Sequence, residues 1–230
     1  MSVLDLVIGW IAPPCCVICG TEGETLCLVC VSRRIIPYGE RCFGCGAASP
    51  DARTCERCRP AAPQHVWVGT NYEAAAQELI KKYKFGHQRA AAESIANLMI
   101  QTILSFNDIQ QIKEIDYSVV PVPTASSRIR QRSFDHSAYL ARHIAQRLNL
   151  DYMNVLTRVG QTRQVGAERS ARLSQPDGNY MIRYPNLVEG QSILLIDDVV
   201  TTGATLRAAA KTLRAYGAAR VDALVFAKRL

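Results

Sequence analysis

From residue 65 onward, apolar residues fall alternately into short continuous runs and into stripes at a spacing of three and four. His65-Val-Trp-Val-Gly reads as a strand. Tyr72 to Phe85 reads as a helix with Leu79, Ile80 and Tyr83 on its apolar face and Gly86 as its stop. Arg89 to Phe106 predicts a second helix, with Ile95, Leu98, Met99, Thr102 and Ile103 inward and Asn107-Asp108 ending it. Tyr117 to Val122 reads as a buried strand with Pro121 and Pro123 at its exit. Proline donates nothing to a ladder, so the chain turns at or near that point. Asp135 to Leu148 predicts a helix capped by Ser133 or Asp135, and Val155 to Val159 a short strand. Ser192 to Ile196 is a buried strand, and a helix begins at about Gly203. Leu206, Ala209 and Leu213 form its inner face, Gly217 ends it, and Arg220 to Ala227 follows as a strand. This alternation is that of an α/β domain. Its last strand, helix and strand make a βαβ unit with a turn at the carboxyl end of the first strand, where such sheets bind ligands.

The first 59 residues are organised by cysteine. Cys16-x-x-Cys19, Cys27-x-x-Cys30, Cys42-x-x-Cys45 and Cys55-x-x-Cys58 form four knuckles, with Cys15 left over. Paired CxxC knuckles in a chain without an export signal favour metal over a disulfide framework. Gly20 and Gly46 follow the first and third knuckles only, so a glycine-type knuckle and a plain one occur twice in succession. Two successive tetrathiolate zinc sites, Cys16/Cys19/Cys27/Cys30 and Cys42/Cys45/Cys55/Cys58, are the simplest pairing; an interleaved one stays open. Closed four-thiolate sets are structural, since no ligand position is left for water. The segment has few large apolar residues, so metal supplies much of its folding energy. The expected organisation is a short N-terminal helix over 1–14, a double zinc ribbon over 15–59, a proline-rich linker at Pro60 to Pro63, and the α/β domain over 64–230.

Val3 to Ile11 is apolar but contains Asp5, lacks a basic flank and is too short to span a membrane. It reads as an amphipathic helix ended by Pro13-Pro14, and the expected location is the cytoplasm. The formal charge of +7 is unevenly spread: the stretch from Ser126 to Arg172 holds nine Arg, no Lys and three acids. Such a stretch attracts phosphate-rich ligands or nucleic acid, although solvated helix faces account for part of it.

The densest chemistry lies in Ser-Ile-Leu-Leu-Ile-Asp-Asp-Val-Val-Thr-Thr-Gly-Ala-Thr, Ser192 to Thr205. Thr201, Thr202, Gly203, Ala204 and Thr205 at a helix N-terminus present backbone N–H groups and hydroxyls to one point, which suits a phosphate dianion. Asp197 and Asp198 are acceptor-only groups placed to hold the two hydroxyls of a ribose. Ile193 to Thr205 resembles, at every position, the signature of the type I phosphoribosyltransferases that bind phosphoribosyl pyrophosphate (PRPP). The four knuckles, Lys84-Phe85-Gly86, Pro121-Val-Pro123 with its Arg loop and this signature, in that order, resemble the ComF family nearly end to end.

The resemblance implies an open parallel sheet flanked by helices in a type I phosphoribosyltransferase-like domain, with the small N-terminal cysteine module. It implies Mg²⁺-assisted PRPP binding, with pyrophosphate at the loop carrying Arg128, Arg130 and Arg132. Of these Arg132 and then Arg128 are the preferred contacts, and Lys84 joins the PRPP set. Asp197, Asp198 and Arg132 are the expected catalytic residues. Gln164, Arg169 and Arg172 resemble the family's flexible loop, a candidate lid over the ligand, although Ala167 and Gln175 stand where the family has Leu and Asn. Family members have Arg-Gly-Phe-Asn-Gln where this chain has Arg132-Ser-Phe-Asp-His136. An Asp there opposes anion binding unless it bridges a metal or an Arg, and His136 reads as a surface residue or a proton-transfer group. The implied role is linked to DNA uptake and natural competence: phosphoribosyl transfer to an unnamed acceptor, or PRPP binding without turnover. A third course is an accessory that binds single-stranded DNA or competence-machinery proteins.

Overall fold

The computed structural model describes residues 15–85, 89–123, 135–159 and 180–229. The predicted helix before Cys15 and the Arg loop at 124–134 lie outside them, as does the candidate lid with Gln164, Arg169 and Arg172.

Five strands form one sheet: β1 (Val66–Asn71), β2 (Tyr117–Pro121), β3 (Asp151–Tyr152), β6 (Ser192–Val200) and β7 (Arg220–Lys228). Their order is β1-β7-β6-β2-β3, with every neighbouring pair parallel. β4 (Leu156–Arg158) and β5 (Tyr180–Ile182) pair antiparallel in a separate two-stranded sheet. The helices are α1 (Leu28–Arg34), α2 (Ala74–Phe85), α3 (Arg89–Phe106), α4 (Ile109–Ile115), α5 (His136–Leu148) and α6 (Ala204–Ala215). The expectation had Asn107-Asp108 only ending α3. Asp108 instead opens α4 with a reciprocal cap to Gln111, its carboxylate accepting from the Gln111 N–H at 2.8 Å.

Strand alternation sorts the core onto two faces. Leu194, Ile196, Leu224 and Phe226 face a layer made by α2, α3 and α5, with Tyr83, Ile95, Met99 and Ile144 at its centre. Ile193, Leu195, Ala223 and Val225 face α6 through Leu206, Ala209 and Leu213. α5 leads from β2 to β3 on one face, and α6 leads from β6 to β7 on the other. The chain therefore diverges between β2 and β6, and the crevice beyond their carboxyl ends is the ligand position of an open α/β sheet.

The ladder between β2 and β6 ends at Pro121↔Ile196, whereas β6 continues beside β7 to Val200↔Lys228. The sequence reading ended the strand at Ile196; in the structure both carboxylates lie on it. Pro121 is tolerated because β3 pairs only with Ser118 and Val119, so one side of β2 is open at the proline.

The cysteine module wraps the free edge of β1. Pro37 bridges Thr70 and Arg53 bridges His65, both antiparallel. The Tyr38 and Asn71 N–H groups donate to the Gly69 and Ile36 carbonyls, each at 3.3 Å. Cys16, Leu26, Cys30 and Ile35 join the core on the α3 side, while Tyr38 and Phe43 join it on the α6 side. At the amino edge of the sheet, fully buried Asp222 accepts from the His65 N–H at 2.8 Å, from Arg220 Nε at 2.5 Å and from the Tyr117 hydroxyl.

Candidate functional site

β6 passes into α6 through Thr201, Thr202 and Gly203. Gly203 has φ 76°, in the left-handed region that glycine tolerates. A Cβ there would stand 2.4 Å from Phe43 Cε2. Thr201, Thr202, Ala204 and Thr205 are exposed, and the Thr202 hydroxyl accepts from the Ala204 N–H at 3.3 Å. The carbonyls are held by cations: Lys228 Nζ donates to Thr201 and Arg207 Nη1 to Thr202, the latter at 2.9 Å. With the carbonyls so engaged, the hydroxyls and the first amides of α6 make up the exposed side of the turn, where the helix dipole favours an anion.

The two carboxylates leave β6 toward opposite faces. Asp198, in phase with Ile196, points to the α2 layer, where Lys84 Nζ meets its Oδ2 at 2.6 Å. Both side chains are largely buried, Lys84 at 17% and Asp198 at 12% exposure. Asp197, on the other side, bonds the Asp198 N–H through Oδ1 at 2.9 Å and lies within electrostatic range of Tyr180 on β5. Burial, and then the like charge of Asp198, push Asp197 up to about 8, against the opposing pull of that N–H and of Lys84. A carboxyl raised in this way beside a second carboxylate is a common signature of a ligand or metal site.

Asp135 accepts from the Ala138 N–H at 3.2 Å and so caps α5, while its charge adds to the rise at Asp197. His136 is neither at the surface nor open to ligand. It is 1% exposed, edge-on to the Tyr83 ring at 4.8 Å, and its carbonyl accepts from the Tyr83 hydroxyl at 2.6 Å.

The eight knuckle cysteines gather as Cys16, Cys19, Cys27, Cys30 and as Cys42, Cys45, Cys55, Cys58, with the sulfurs of each set within 4.8 Å of one another. This is the successive pairing. The Cys19–Cys27 and Cys45–Cys55 sulfur distances are both 3.7 Å. A tetrahedral zinc with Zn–S bonds of about 2.3 Å needs sulfurs about 3.8 Å apart, so both clusters fit and could hold zinc ions. The repeat extends to the backbone. Gly20 and Gly46, at φ 75° and 73°, donate to the Cys16 and Cys42 carbonyls at 2.8 Å, closing equivalent loops. Burial works to raise the Cys16 and Cys42 thiols. Backbone N–H groups within their own clusters outweigh it and bring both below the ordinary value, whereas burial and then the neighbouring thiols of the same clusters push Cys30 and Cys58 up to about 12.

The family model for the phosphoribosyl transferase domain matches residues 135–230. DNA utilization protein YhgH of Salmonella typhimurium is 30% identical over 202 residues, covering 86% of this chain and 87% of that protein. Competence protein F of Haemophilus influenzae is 25% identical over 205 residues, with 86% and 87% covered. Competence protein ComFC of Bacillus subtilis is 28% identical over 204 residues, with 85% and 80% covered. This chain belongs to the ComF family. A solved structure of the allosteric regulatory enzyme of purine biosynthesis superposes at a TM-score of 0.39 and 17% identity, over 63% of this chain and 29% of that one.

The ComF chain therefore combines a phosphoribosyltransferase-type domain, its parallel sheet flanked by helices, with two four-cysteine clusters. Among the described residues no helix is long and apolar enough to cross a membrane. Asp197, Asp198, Lys84 and the turn from Thr201 to Thr205 meet at the carboxyl edge of the sheet, and the chain leaves β2 for the Arg loop at this same edge. Sequence reasoning missed Phe43, Arg207 and Lys228. Phe43 was visible as an aromatic inside a knuckle of a module poor in large apolar residues. Arg207 sits one turn into α6, the helix that Gly203 caps. Lys228 carried no signal, because its role depends on the register of β7 against β6.

Proposed function

We propose that this site binds PRPP, with the 5-phosphate in the turn from Thr201 to Thr205 and the ribose hydroxyls accepted by Asp197 and Asp198. The observation that carries this reading is the run of β6 past β2, which brings the stretch Asp197-Asp198 and the α6 N-terminus to the carboxyl edge of the sheet where the strands diverge. Arg132 and Arg128, on the loop that follows β2, are the proposed pyrophosphate contacts; paired guanidinium N–H groups suit phosphate oxygens. Lys84 neutralises one member of the acidic pair, so the ligand's own negative charge meets a smaller opposing field. Mg²⁺ bound along with the pyrophosphate would supply positive charge that offsets part of the ligand's negative charge. Transfer breaks the bond from ribose C1 to the pyrophosphate oxygen and forms one from C1 to the acceptor nucleophile, with pyrophosphate leaving. The loop carrying Gln164, Arg169 and Arg172 excludes water during that exchange. Relatives named for competence and DNA utilization favour a role in handling DNA taken up by the cell.

Calorimetry with PRPP and Mg²⁺ tests the binding. The wild-type chain is expected to bind, and Asp197→Ala/Asp198→Ala to bind at least tenfold more weakly, about 1.4 kcal/mol. Equal affinity in the two proteins removes the reading. Pyrophosphate release with a panel of bases and other acceptors then separates a transferase from a PRPP-binding accessory.

A further inference from the structure

A residue of the second cysteine cluster packs against the turn at Gly203. Phe43, between Cys42 and Cys45, is 0% exposed. Its ring lies against Gly203 so closely that no side chain fits there. The Arg207 guanidinium lies over the same ring, 5.1 Å from its centroid, while Nη1 donates to the Thr202 carbonyl. The Arg207 guanidinium also reaches the next residue of the knuckle. A Cβ on Gly44 would stand 2.8 Å from Arg207 Nη2 and 2.8 Å from Cys58 Sγ. Arg207 thus touches the turn through the Thr202 carbonyl and the knuckle through the Phe43 ring, while its Nη2 and Cys58 Sγ both flank Gly44. The first cluster makes its core contacts on the opposite face of the sheet, through Cys16, Leu26 and Cys30 beside α3.

We infer that metal bound by Cys42, Cys45, Cys55 and Cys58 holds the phosphate turn in its binding shape, with Phe43 and Arg207 as the positioning residues, and that the first cluster has no such role. Apart from Phe43, residues 42–58 bury only Cys42 and Ala52 among their apolar side chains, so the shape of the segment depends on the tetrathiolate being closed. When the metal leaves, Phe43 loses its fixed seat and Arg207 its stacking surface. The Thr202 carbonyl then loses its donor, and the amides at the start of α6 fray. Linkage makes the coupling reciprocal: an anion in the turn raises metal affinity at the second cluster by the factor by which metal raises anion affinity. This deepens the PRPP reading and, for its ligand arm, rests on it.

The test compares Cys55→Ser, Cys27→Ser and Phe43→Leu by zinc content, hydrogen exchange over residues 200–208, and calorimetric titration with ribose 5-phosphate. Phe43→Leu keeps all eight thiols, so it reports on the contact even if Cys55→Ser fails to fold. Cys55→Ser and Phe43→Leu are expected to speed exchange at the Arg207 amide, which donates to the Gly203 carbonyl at 3.0 Å, at least tenfold and to weaken ribose 5-phosphate at least fivefold. Phe43→Leu should do so at full zinc content, and Cys27→Ser should leave both readouts within twofold of wild type. Unchanged exchange in Phe43→Leu overturns the inference, as does equal loosening by Cys27→Ser, which marks general destabilisation. If the wild-type chain binds no ribose 5-phosphate, the ligand reading fails, and the exchange comparison still decides the coupling.

Discussion

Lys84 Nζ lies 2.6 Å from Asp198 Oδ2, joining the last turn of α2 to β6. Both groups are largely withdrawn from water, so removing one leaves the other charge with little compensation. Lys84→Met is expected to lower unfolding free energy by about 3 kcal/mol. Adding Asp198→Asn should restore most of that loss, because the unpaired charge is then gone. Urea denaturation of the two single variants and the double variant measures the coupling. A value under about 0.5 kcal/mol would show that the pair does not act as a unit.

Asp197 yields a pH prediction. Its pKa in the fold is raised by burial and by Asp198, so the native state holds this proton more tightly than the unfolded chain. Its stabilising contribution is complete below the ordinary carboxylate value of about 4 and is lost as pH rises through about 8. Asp197→Asn should therefore be more stable than wild type at pH 7 and should flatten the decline between pH 5 and 8. Melting temperature against pH, without ligand, checks this. The same variant should bind PRPP more weakly, so stability and function oppose each other at this residue.

Asp222 has the opposite sign. Burial works to raise it, but hydrogen bonds from His65 and Tyr117 and the Arg220 charge outweigh burial and hold it below the ordinary value. Its contribution is present above about pH 4 and is lost as pH falls through the depressed native value. Asp222→Ala is expected to cost about 3 kcal/mol or more by leaving several buried donors without their shared acceptor. Because Asp222 is at the amino edge of the sheet, PRPP affinity measured on the folded fraction should stay unchanged. A tenfold fall in affinity would mean that the two edges are coupled.

Chelation should act in order along the chain. Stripping zinc is expected to remove amide protection from residues 15–59 first, with β6 and β7 the last to exchange. Hydrogen exchange before and after treatment with a strong zinc chelator measures the sequence of loss. Retention of protection across 15–59 would mean that apolar packing alone holds the module.

Most of the α/β framework was legible because its helices are periodic and its strands are buried runs; α3 spans the predicted Arg89 to Phe106. The cysteine pairing was legible because a repeat of knuckle and glycine carries the topology with it. What escaped were features set by neighbours rather than by local pattern. β3 is two residues long and exists only beside Ser118 and Val119. The strand character of Asp197 and Asp198 depends on β7 running alongside, which no property of two acids announces. His136 read as a surface group because its polarity was visible and the Tyr83 ring over it was not. The α4 start was written locally, in Asp108 and Gln111, but the preceding helix end masked it.

The wrapping of β1 by the cysteine module has a consequence for the life of the protein in a metal-poor cell. β1 is the outer strand of a parallel sheet, rich in Val, Trp and Thr, and its outward hydrogen-bonding groups are occupied by residues beside Pro37 and Arg53. If the knuckles open, that strand is expected to present a bare, apolar edge to the next copy of the chain, the arrangement that favours edge-to-edge pairing. Loss of zinc from the knuckles is therefore expected to favour edge-to-edge association of chains, which light scattering before and after chelation checks.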